Sequence, residues 1–117
     1  MMTSGIKFER GDIVIIPFPF TDLSSVKQRP VLVLSNNSYN TSCEDFIVCG
    51  ITLNVKSTSY AVEIANENLE IGTIPIDSRI KVDKIFTLKQ ALVRKKVARL
   101  NSITLKRVYE ELSHLFI

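Results

Sequence analysis

Hydrophobic and polar positions divide the chain into short apolar blocks separated by polar segments. The first block, residues 12–20, is rich in β-branched residues and predicts a strand that ends near its two prolines. Residues 31–35 are apolar without alternation, which predicts a second strand buried on both faces. The polar stretch between these blocks, residues 22–28, predicts a loop.

The middle of the chain continues this pattern with shorter blocks. Further strands are predicted at residues 45–52, 59–64, 78–88 and 95–100. In the block 59–64, alternation places Tyr60, Val62 and Ile64 on one face. The polar segments 36–42 and 65–75 predict a turn and a connection.

The period changes to that of a helix at the end of the chain. One apolar stripe is formed by Leu105, Val108, Tyr109, Leu112, Leu115 and Phe116. Asn101 or Ser102 can cap the start of this helix, and His114 falls off the stripe, toward solvent. Many short strands followed by one helix predict a mostly β fold, a small barrel with a C-terminal packing helix.

Composition narrows the class of protein. With 117 residues, of which 45% are hydrophobic, the chain is expected to form a single domain, residues 1–117. No apolar run approaches the roughly 20 residues that span a bilayer, and the N-terminus lacks a signal-peptide pattern, so we expect a cytoplasmic protein. Two cysteines, Cys43 and Cys49, are expected as reduced thiols, and together with His114 they give no metal-ligand spacing.

The net charge of +3 conceals an uneven distribution along the chain. Between residues 79 and 107 the only acidic residue is Asp83, among ten basic ones: Arg79, Lys81, Lys84, Lys89, Arg94, Lys95, Lys96, Arg99, Lys106 and Arg107. Such a segment suits a polyanion or an acidic protein partner. A solvated basic face without a partner explains the charge equally well.

Candidate chemistry follows from what the sequence lacks. It contains neither a Ser-His-Asp set nor a Gly-rich phosphate loop, so no cofactor is expected and the available groups are arginine, hydroxyls and carboxylates. Arg29, before Pro30, is placed at a loop–strand junction and can bind phosphate oxygens with its planar fork. The alternative is a surface arginine that pairs with a carboxylate such as Asp22. Thr52 ends a strand, where threonine is common for structural reasons alone. Asp83 lies among basic residues, and its simplest interpretation is an ordinary ion-pair partner.

At these residues the sequence resembles a known family. The segments "RGDIVIIPFPFTDLSSVKQRPVLVLSN", "VCGIT", "RIKVDKIFTL" and "VARLNSITLKRVYEEL" are similar, in this order, to the MazF/PemK toxins of bacterial toxin–antitoxin systems. The resemblance covers about residues 10–115. It implies an SH3-like β-barrel of the kind that MazF shares with the gyrase poison CcdB.

The resemblance also implies an activity and partners. Members are metal-independent, sequence-selective endoribonucleases that cleave single-stranded RNA to 2′,3′-cyclic phosphate and 5′-hydroxyl ends, act as homodimers and are neutralised by acidic antitoxins. Arg29 and Thr52 match the family's catalytic arginine and hydroxyl. Asp83, the third candidate catalytic residue, occupies a position that is an acid in some members, and Lys81 stands where some members have arginine. Candidate RNA-binding residues are Phe20, Lys27, Gln28, Tyr60, Lys81 and Lys84. Two alternatives are a non-catalytic, CcdB-like toxin that binds a protein target and a basic RNA-binding module.

Overall fold

Seven strands and two helices account for most of the chain that the computed structural model describes, residues 7–19, 26–56 and 58–117. The strands are β1 (Asp12–Pro19), β2 (Val26–Val33), β3 (Asp45–Thr52), β4 (Ala61–Ile64), β5 (Leu69–Gly72), β6 (Ser78–Lys89) and β7 (Lys95–Leu100). The helices are α1 (Asn37–Ser42) and α2 (Ser102–Ser113), with 3₁₀ turns at Asn66–Asn68 and Gln90–Leu92.

The strands form one antiparallel sheet in the order β4-β6-β3-β2-β1-β7-β5, which curls into a half-barrel. The predicted class, a mostly β small barrel with a C-terminal helix, is confirmed. Strands distant in sequence are neighbours in the sheet, because β6 lies beside β3 and β7 lies beside β1. The register between these strands therefore decides which polar side chains meet.

Both faces of the sheet are buried in its centre. On one face, the aligned residues Ile13, Leu32 and Cys49 belong to the larger core, against which α2 packs. On the other face, the aligned Val14 and Val31 belong to a smaller cluster around Phe46. Burial on both faces explains why the apolar blocks of β1 and β2 do not alternate.

Helix α2 agrees closely with its predicted pattern. The side-chain oxygen of Asn101 accepts a hydrogen bond from the backbone N–H of Thr104 at 2.9 Å, which confirms the N-cap. Val108 is fully buried, and His114 lies outside the core with 65% of its side chain exposed, as predicted. The prediction for Phe116 is wrong: it is 75% exposed, because α2 ends at Ser113 and, beyond it, Leu115 packs against the core whereas Phe116 does not.

A helix replaces the turn predicted at residues 36–42. Asn36 caps α1 by accepting a hydrogen bond from the N–H of Tyr39 at 2.9 Å. The side chain of Asn40 is buried and donates to the carbonyls of Phe8 and Ser35, at 3.0 and 2.9 Å. This partner at Phe8, distant in sequence, holds α1 in place and could not be found from local pattern.

The segment predicted as the connection 65–75 contains an additional strand, β5, which pairs with β7 at one edge of the sheet. Gly72 permits this pairing. Its φ is +80°, and a Cβ at this position would lie 2.1 Å from the carbonyl oxygen of Val97. No other residue type fits without moving the backbone, so β5 depends on close backbone contact rather than on a hydrophobic pattern.

Two predicted boundaries change near the candidate catalytic residues. Strand β2 begins at Val26, so the predicted loop 22–28 overlaps a strand, and Arg29 lies within β2, paired with Ile16 of β1, rather than at a junction. Residues 20–25, including Phe20, lie outside the described part of the chain. Strand β4 begins at Ala61, and Tyr60 precedes it with a φ of +51° and 42% of its surface exposed. Tyr60 therefore does not share the buried face of Val62 and Ile64.

An ionic cluster joins the start of β1 to β7. Asp12 is fully buried, and its carboxylate accepts hydrogen bonds from Arg99 Nε at 2.7 Å and from the backbone N–H of Glu9 at 2.9 Å. Lys96 Nζ lies 3.4 Å from the same carboxylate. The hydrogen bond with Asp12 raises the pKa of Arg99 above its ordinary value. Asp12 therefore has a structural role.

Both cysteines are free thiols, Cys43 half-buried and Cys49 buried. Burial, with a smaller contribution from the charge of Asp83, raises the pKa of Cys49 to about 12. The Cys49 thiol therefore stays protonated and unreactive at neutral pH. Among the described residues, no helix combines the length and apolar character needed to cross a membrane.

Candidate active site

A row of polar side chains crosses the sheet where β3 ends. Thr52, the last residue of β3, is paired with Arg79 of β6, and Arg79 is paired in turn with Glu63 of β4. Directly opposed residues in an antiparallel sheet place their side chains on the same face, with Cβ atoms about 5 Å apart. Thr52, Arg79 and Glu63 therefore lie side by side, and we call them the Thr52 row.

Arg29 extends this row on the other side of Thr52. Strands β2 and β3 are paired from Val33–Val48 to Val31–Gly50, and the same register continued by two residues aligns Arg29 with Thr52. Arg29 is exposed, and both residues line one cavity. The structure thus brings together the two residues that the sequence analysis ranked first.

The cavity beside Arg29 and Thr52 has a volume of about 900 Å³. Its floor is mainly aliphatic, with Ile13, Ile15, Ile51, Leu53, Ile64, Ile74, Pro75, Ile76 and Val97. Its polar lining comprises Gln28, Arg29, Thr52, Asn54, Thr73, Ser78, Arg94 and Lys95. Ile13, Ile51 and Ile64 of this floor belong to the larger core, on the face of the sheet opposite to the Thr52 row, so Arg29 and Thr52 border the cavity at its rim. An apolar floor with cationic groups at its rim suits a ligand that carries both an aromatic part and a negative charge.

Lys81 and Asp83 lie on the neighbouring row of the same sheet. Lys81 is paired with Gly50, two residues before Thr52, so it faces the same side as Thr52. Its Nζ atom lies 3.4 Å from Asp83 Oδ1 and donates to the carbonyl of Ser59. The register of β3 and β6 shifts between Cys49 and Gly50, and Asp83 lies in the irregular part of β6 that this shift creates.

The predicted RNA-binding residues take different positions. A Cβ added to Gly50 would lie 3.5 Å from Lys84 Cβ, so Lys84 borders the row of Lys81. Gln28 lines the cavity, whereas Lys27 is exposed earlier on β2 and lies outside the described lining. The carbonyl of Tyr60 accepts a hydrogen bond from the N–H of Val82 at 3.0 Å, which places Tyr60 beside Lys81. The position of Phe20 is outside the described residues.

The hydroxyl of Thr52 is oriented by its own loop. Its Oγ1 accepts a hydrogen bond from the backbone N–H of Asn54 at 3.1 Å. Because that bond uses a lone pair, the hydroxyl proton can be donated to a phosphate oxygen. Arg29 can supply two further donors in a planar fork. Among the described residues, no group of three His, Cys, Asp or Glu side chains is arranged to hold a metal ion.

Sequence reasoning missed Arg79 and Glu63 as members of this site. Arg79 belongs to the basic segment. Because it lies two residues before Lys81 in β6, the two side chains point to the same face of the sheet. Pairing of Arg79 with Thr52 depends on the register of two strands far apart in the chain. The sequence carries no local signal for that register.

Comparison with known proteins identifies the family. The family model of the "PemK-like, MazF-like toxin of type II toxin-antitoxin system" matches residues 9–116. The chain belongs to this toxin family. This match confirms the resemblance of the RGD, GIT and VDKIFTL segments to MazF/PemK toxins. A search of curated protein sequences finds no match.

Solved structures agree with the MazF-like fold. A MazE–MazF complex from Deinococcus radiodurans is 21% identical, with a TM-score of 0.78, and the match covers 95% of this chain and 96% of that one. An endoribonuclease in complex with its cognate antitoxin from a mycobacterial species is 19% identical, with a TM-score of 0.72 and 91% of each chain covered. The Mycobacterium tuberculosis toxin MazF-mt6 is 18% identical, with a TM-score of 0.68, covering 88% of this chain and 95% of that one.

Proposed function

We propose that this MazF-like toxin is a metal-independent, sequence-selective endoribonuclease that acts on single-stranded RNA in the cytoplasm. One observation carries the proposal: Arg29 and Thr52, on adjacent strands, line the same cavity. Both match the residues that the family resemblance marks as catalytic. A cationic fork beside an oriented hydroxyl can stabilise negative charge on a phosphate.

The proposed reaction uses the nucleophile of the substrate. The 2′-hydroxyl of RNA attacks the adjacent phosphorus, and the bond to the 5′-oxygen of the next nucleotide breaks. That oxygen takes a proton from solvent, which leaves a 2′,3′-cyclic phosphate and a 5′-hydroxyl. Arg29 and the Thr52 hydroxyl stabilise the charge that develops on the non-bridging oxygens. Asp83 is the proposed acceptor of the 2′-hydroxyl proton. Lys81 contributes a point charge rather than a bidentate contact.

Base recognition is proposed to use the floor and rim of the cavity. The aliphatic floor can cover one face of an unpaired base, and Gln28 on the rim can form hydrogen bonds with a base edge. Tyr60, which is exposed, and Phe20, which lies outside the described residues, are proposed as stacking partners, and Lys27 and Lys84 as phosphate contacts along the strand. Sequence selectivity then arises from bases that are splayed out rather than paired.

The proposed partners are a second copy of the chain and an acidic antitoxin. Two of the structural neighbours are MazE–MazF from D. radiodurans and a mycobacterial endoribonuclease with its antitoxin. In a homodimer whose seam includes part of the basic segment 79–107, two positive faces would form one longer groove. A groove that attracts RNA phosphates also attracts a run of Asp and Glu, so the antitoxin would exclude RNA by direct competition.

The deciding experiment is cleavage of single-stranded RNA by purified protein in EDTA, followed by analysis of the product ends. We expect discrete fragments that carry 2′,3′-cyclic phosphate and 5′-hydroxyl ends. An Arg29→Ala preparation made in parallel excludes contaminating ribonuclease, because a contaminant would be equally active in both. Intact RNA, or a requirement for a divalent metal, would contradict the proposal and favour a non-catalytic toxin or RNA-binding module.

A further inference from the structure

Neither the family resemblance nor the sequence pattern predicts a role for Arg79 in this site. In the Thr52 row it is the immediate neighbour of Thr52, on the side away from Arg29. Arg79 is paired directly with Thr52, whereas Arg29 lies on the other side of Thr52, two residues beyond the last observed pair of β2 with β3. Two long guanidinium side chains therefore border one oriented hydroxyl.

The carboxylate that pairs with Arg79 is exposed to solvent. Arg79 NH2 donates to Glu63 Oε2 at 2.6 Å, but the Glu63 side chain is 68% exposed, whereas that of Arg79 is 17% exposed. Exposed ion pairs contribute little to stability, because solvent screens them and both side chains must be ordered. Glu63 also stands on β4, an edge strand of the described sheet, where its carboxylate can swing into solvent.

A carboxylate on a guanidinium has the same geometry as a phosphate on a guanidinium, because both offer paired oxygens to the planar fork. We propose that Arg79 is a second phosphate-binding arginine of this site, and that Glu63 occupies the phosphate position until RNA displaces it. The inference rests on the proposed function for its ligand, single-stranded RNA. Arg79 supplies the bidentate contact that Lys81, as a point charge, does not make.

Binding is measured with a single-stranded 2′-O-methyl oligoribonucleotide, which lacks the nucleophilic hydroxyl and is therefore not cleaved. Arg79→Ala is expected to weaken binding about 10- to 100-fold, as for loss of a hydrogen bond to a charged group. The slope of log K against log salt should fall by about 0.7, the value for one phosphate contact on a single strand. Arg79→Lys should restore the slope but only part of the affinity.

Arg10→Ala is the matched control. It removes the same charge from an exposed position outside the basic segment, where Arg10 lies over the ring of Tyr109 and lines no part of the described cavity. Its salt slope should equal that of the wild type. Circular dichroism and thermal unfolding confirm that each variant is folded, and Arg79→Lys keeps the test usable where Arg79→Ala is not folded.

Glu63→Gln tests the displacement. Removing the competing negative charge should leave binding equal to the wild type or tighter, by up to about fivefold, the upper range for an exposed ion pair. In an Arg79→Ala background the same change should have no effect. Weaker binding by Glu63→Gln would overturn the proposal, because Glu63 would then position Arg79 rather than compete with RNA.

Cleavage of unmodified RNA by the wild type separates this inference from the proposed function. A wild type that binds the 2′-O-methyl strand but leaves unmodified RNA intact refutes the nuclease function, and the Arg79 variants still decide the binding role. Arg79→Ala binding within twofold of the wild type overturns the inference, whatever the cleavage result. A wild type that fails to bind the strand refutes both.

Discussion

Two arginine–carboxylate groups in this toxin use the same chemistry in opposite environments. Arg99 pairs with Asp12, whose side chain is fully buried, whereas Arg79 pairs with Glu63, whose side chain is 68% exposed. The Asp12 carboxylate accepts bonds from a side chain and from the backbone, and a lysine completes its surroundings. The shortest contact in the Arg79–Glu63 pair is equally close, at 2.6 Å.

Burial, rather than distance, distinguishes the two groups. A buried carboxylate that loses its partner cannot recover water, so its pair is fixed and contributes to the fold. An exposed carboxylate is solvated whether or not it is paired, so its arginine is available for exchange with another anion. We therefore assign the Asp12 cluster to stability and the Thr52 row to RNA. The following experiments test that division.

The largest effect is expected for Asp12→Ala. It leaves Arg99 and the N–H of Glu9 without their buried partner, and removing one partner of a buried ion pair costs about 3–5 kcal/mol in the free energy of unfolding. Denaturation in urea measures this loss. Glu70→Ala, which removes an exposed carboxylate 4.0 Å from Arg99, is the control and should cost less than about 1 kcal/mol. Equal costs for the two variants would contradict the division by burial.

Arg29→Ala should lower the rate of RNA cleavage about 100- to 1,000-fold while leaving stability nearly unchanged. The reason is the loss of a preorganised donor to the charge that develops on phosphate. Single-turnover cleavage and thermal unfolding measure the two quantities, and Arg29→Lys should recover only part of the rate. Lys7→Ala, at an exposed position outside the basic segment, is the control for charge alone. Near-normal cleavage by Arg29→Ala would remove Arg29 from the mechanism.

Thr52→Val should slow cleavage by about 10- to 100-fold, the range for one hydrogen bond to a charged group. Valine keeps the branched shape of threonine, so the end of β3 should stay in place. Thr87→Val, an exposed change within β6, is the matched control and should cleave normally. A Thr52→Val rate within threefold of the wild type would show that Thr52 is only a strand residue.

The smallest effect is expected for Glu63→Gln on stability. Loss of the exposed ion pair with Arg79 should change the free energy of unfolding by less than about 1 kcal/mol, and less still at high salt. Urea denaturation at low and high ionic strength measures this. A cost comparable to that of Asp12→Ala would show that the Arg79–Glu63 pair belongs to the fold, as the Asp12 cluster does.

The sequence predicted two residues of this site, Arg29 and Thr52, but not Arg79. Arg29 and Thr52 were found because each stands in a short motif that resembles the family, and the structure places them around one cavity. Arg79 was counted only as one charge in the basic segment. Its role depends on pairing with Thr52. The register shift between Cys49 and Gly50 decides which residue of β6 pairs with Thr52.

Local periodicity alone determined the elements whose hydrophobic pattern lies within one short segment of the chain. The stripe of α2, its Asn101 cap and the strands β1 and β3 follow from spacing within a few residues, because side-chain direction is fixed by the backbone repeat. Tertiary structure decided what depends on distant partners. Helix α1 needs the contact of Asn40 with Phe8, and β5 needs the backbone of β7 against Gly72. The Thr52 row likewise exists only because three strands align, which no single stretch of sequence encodes.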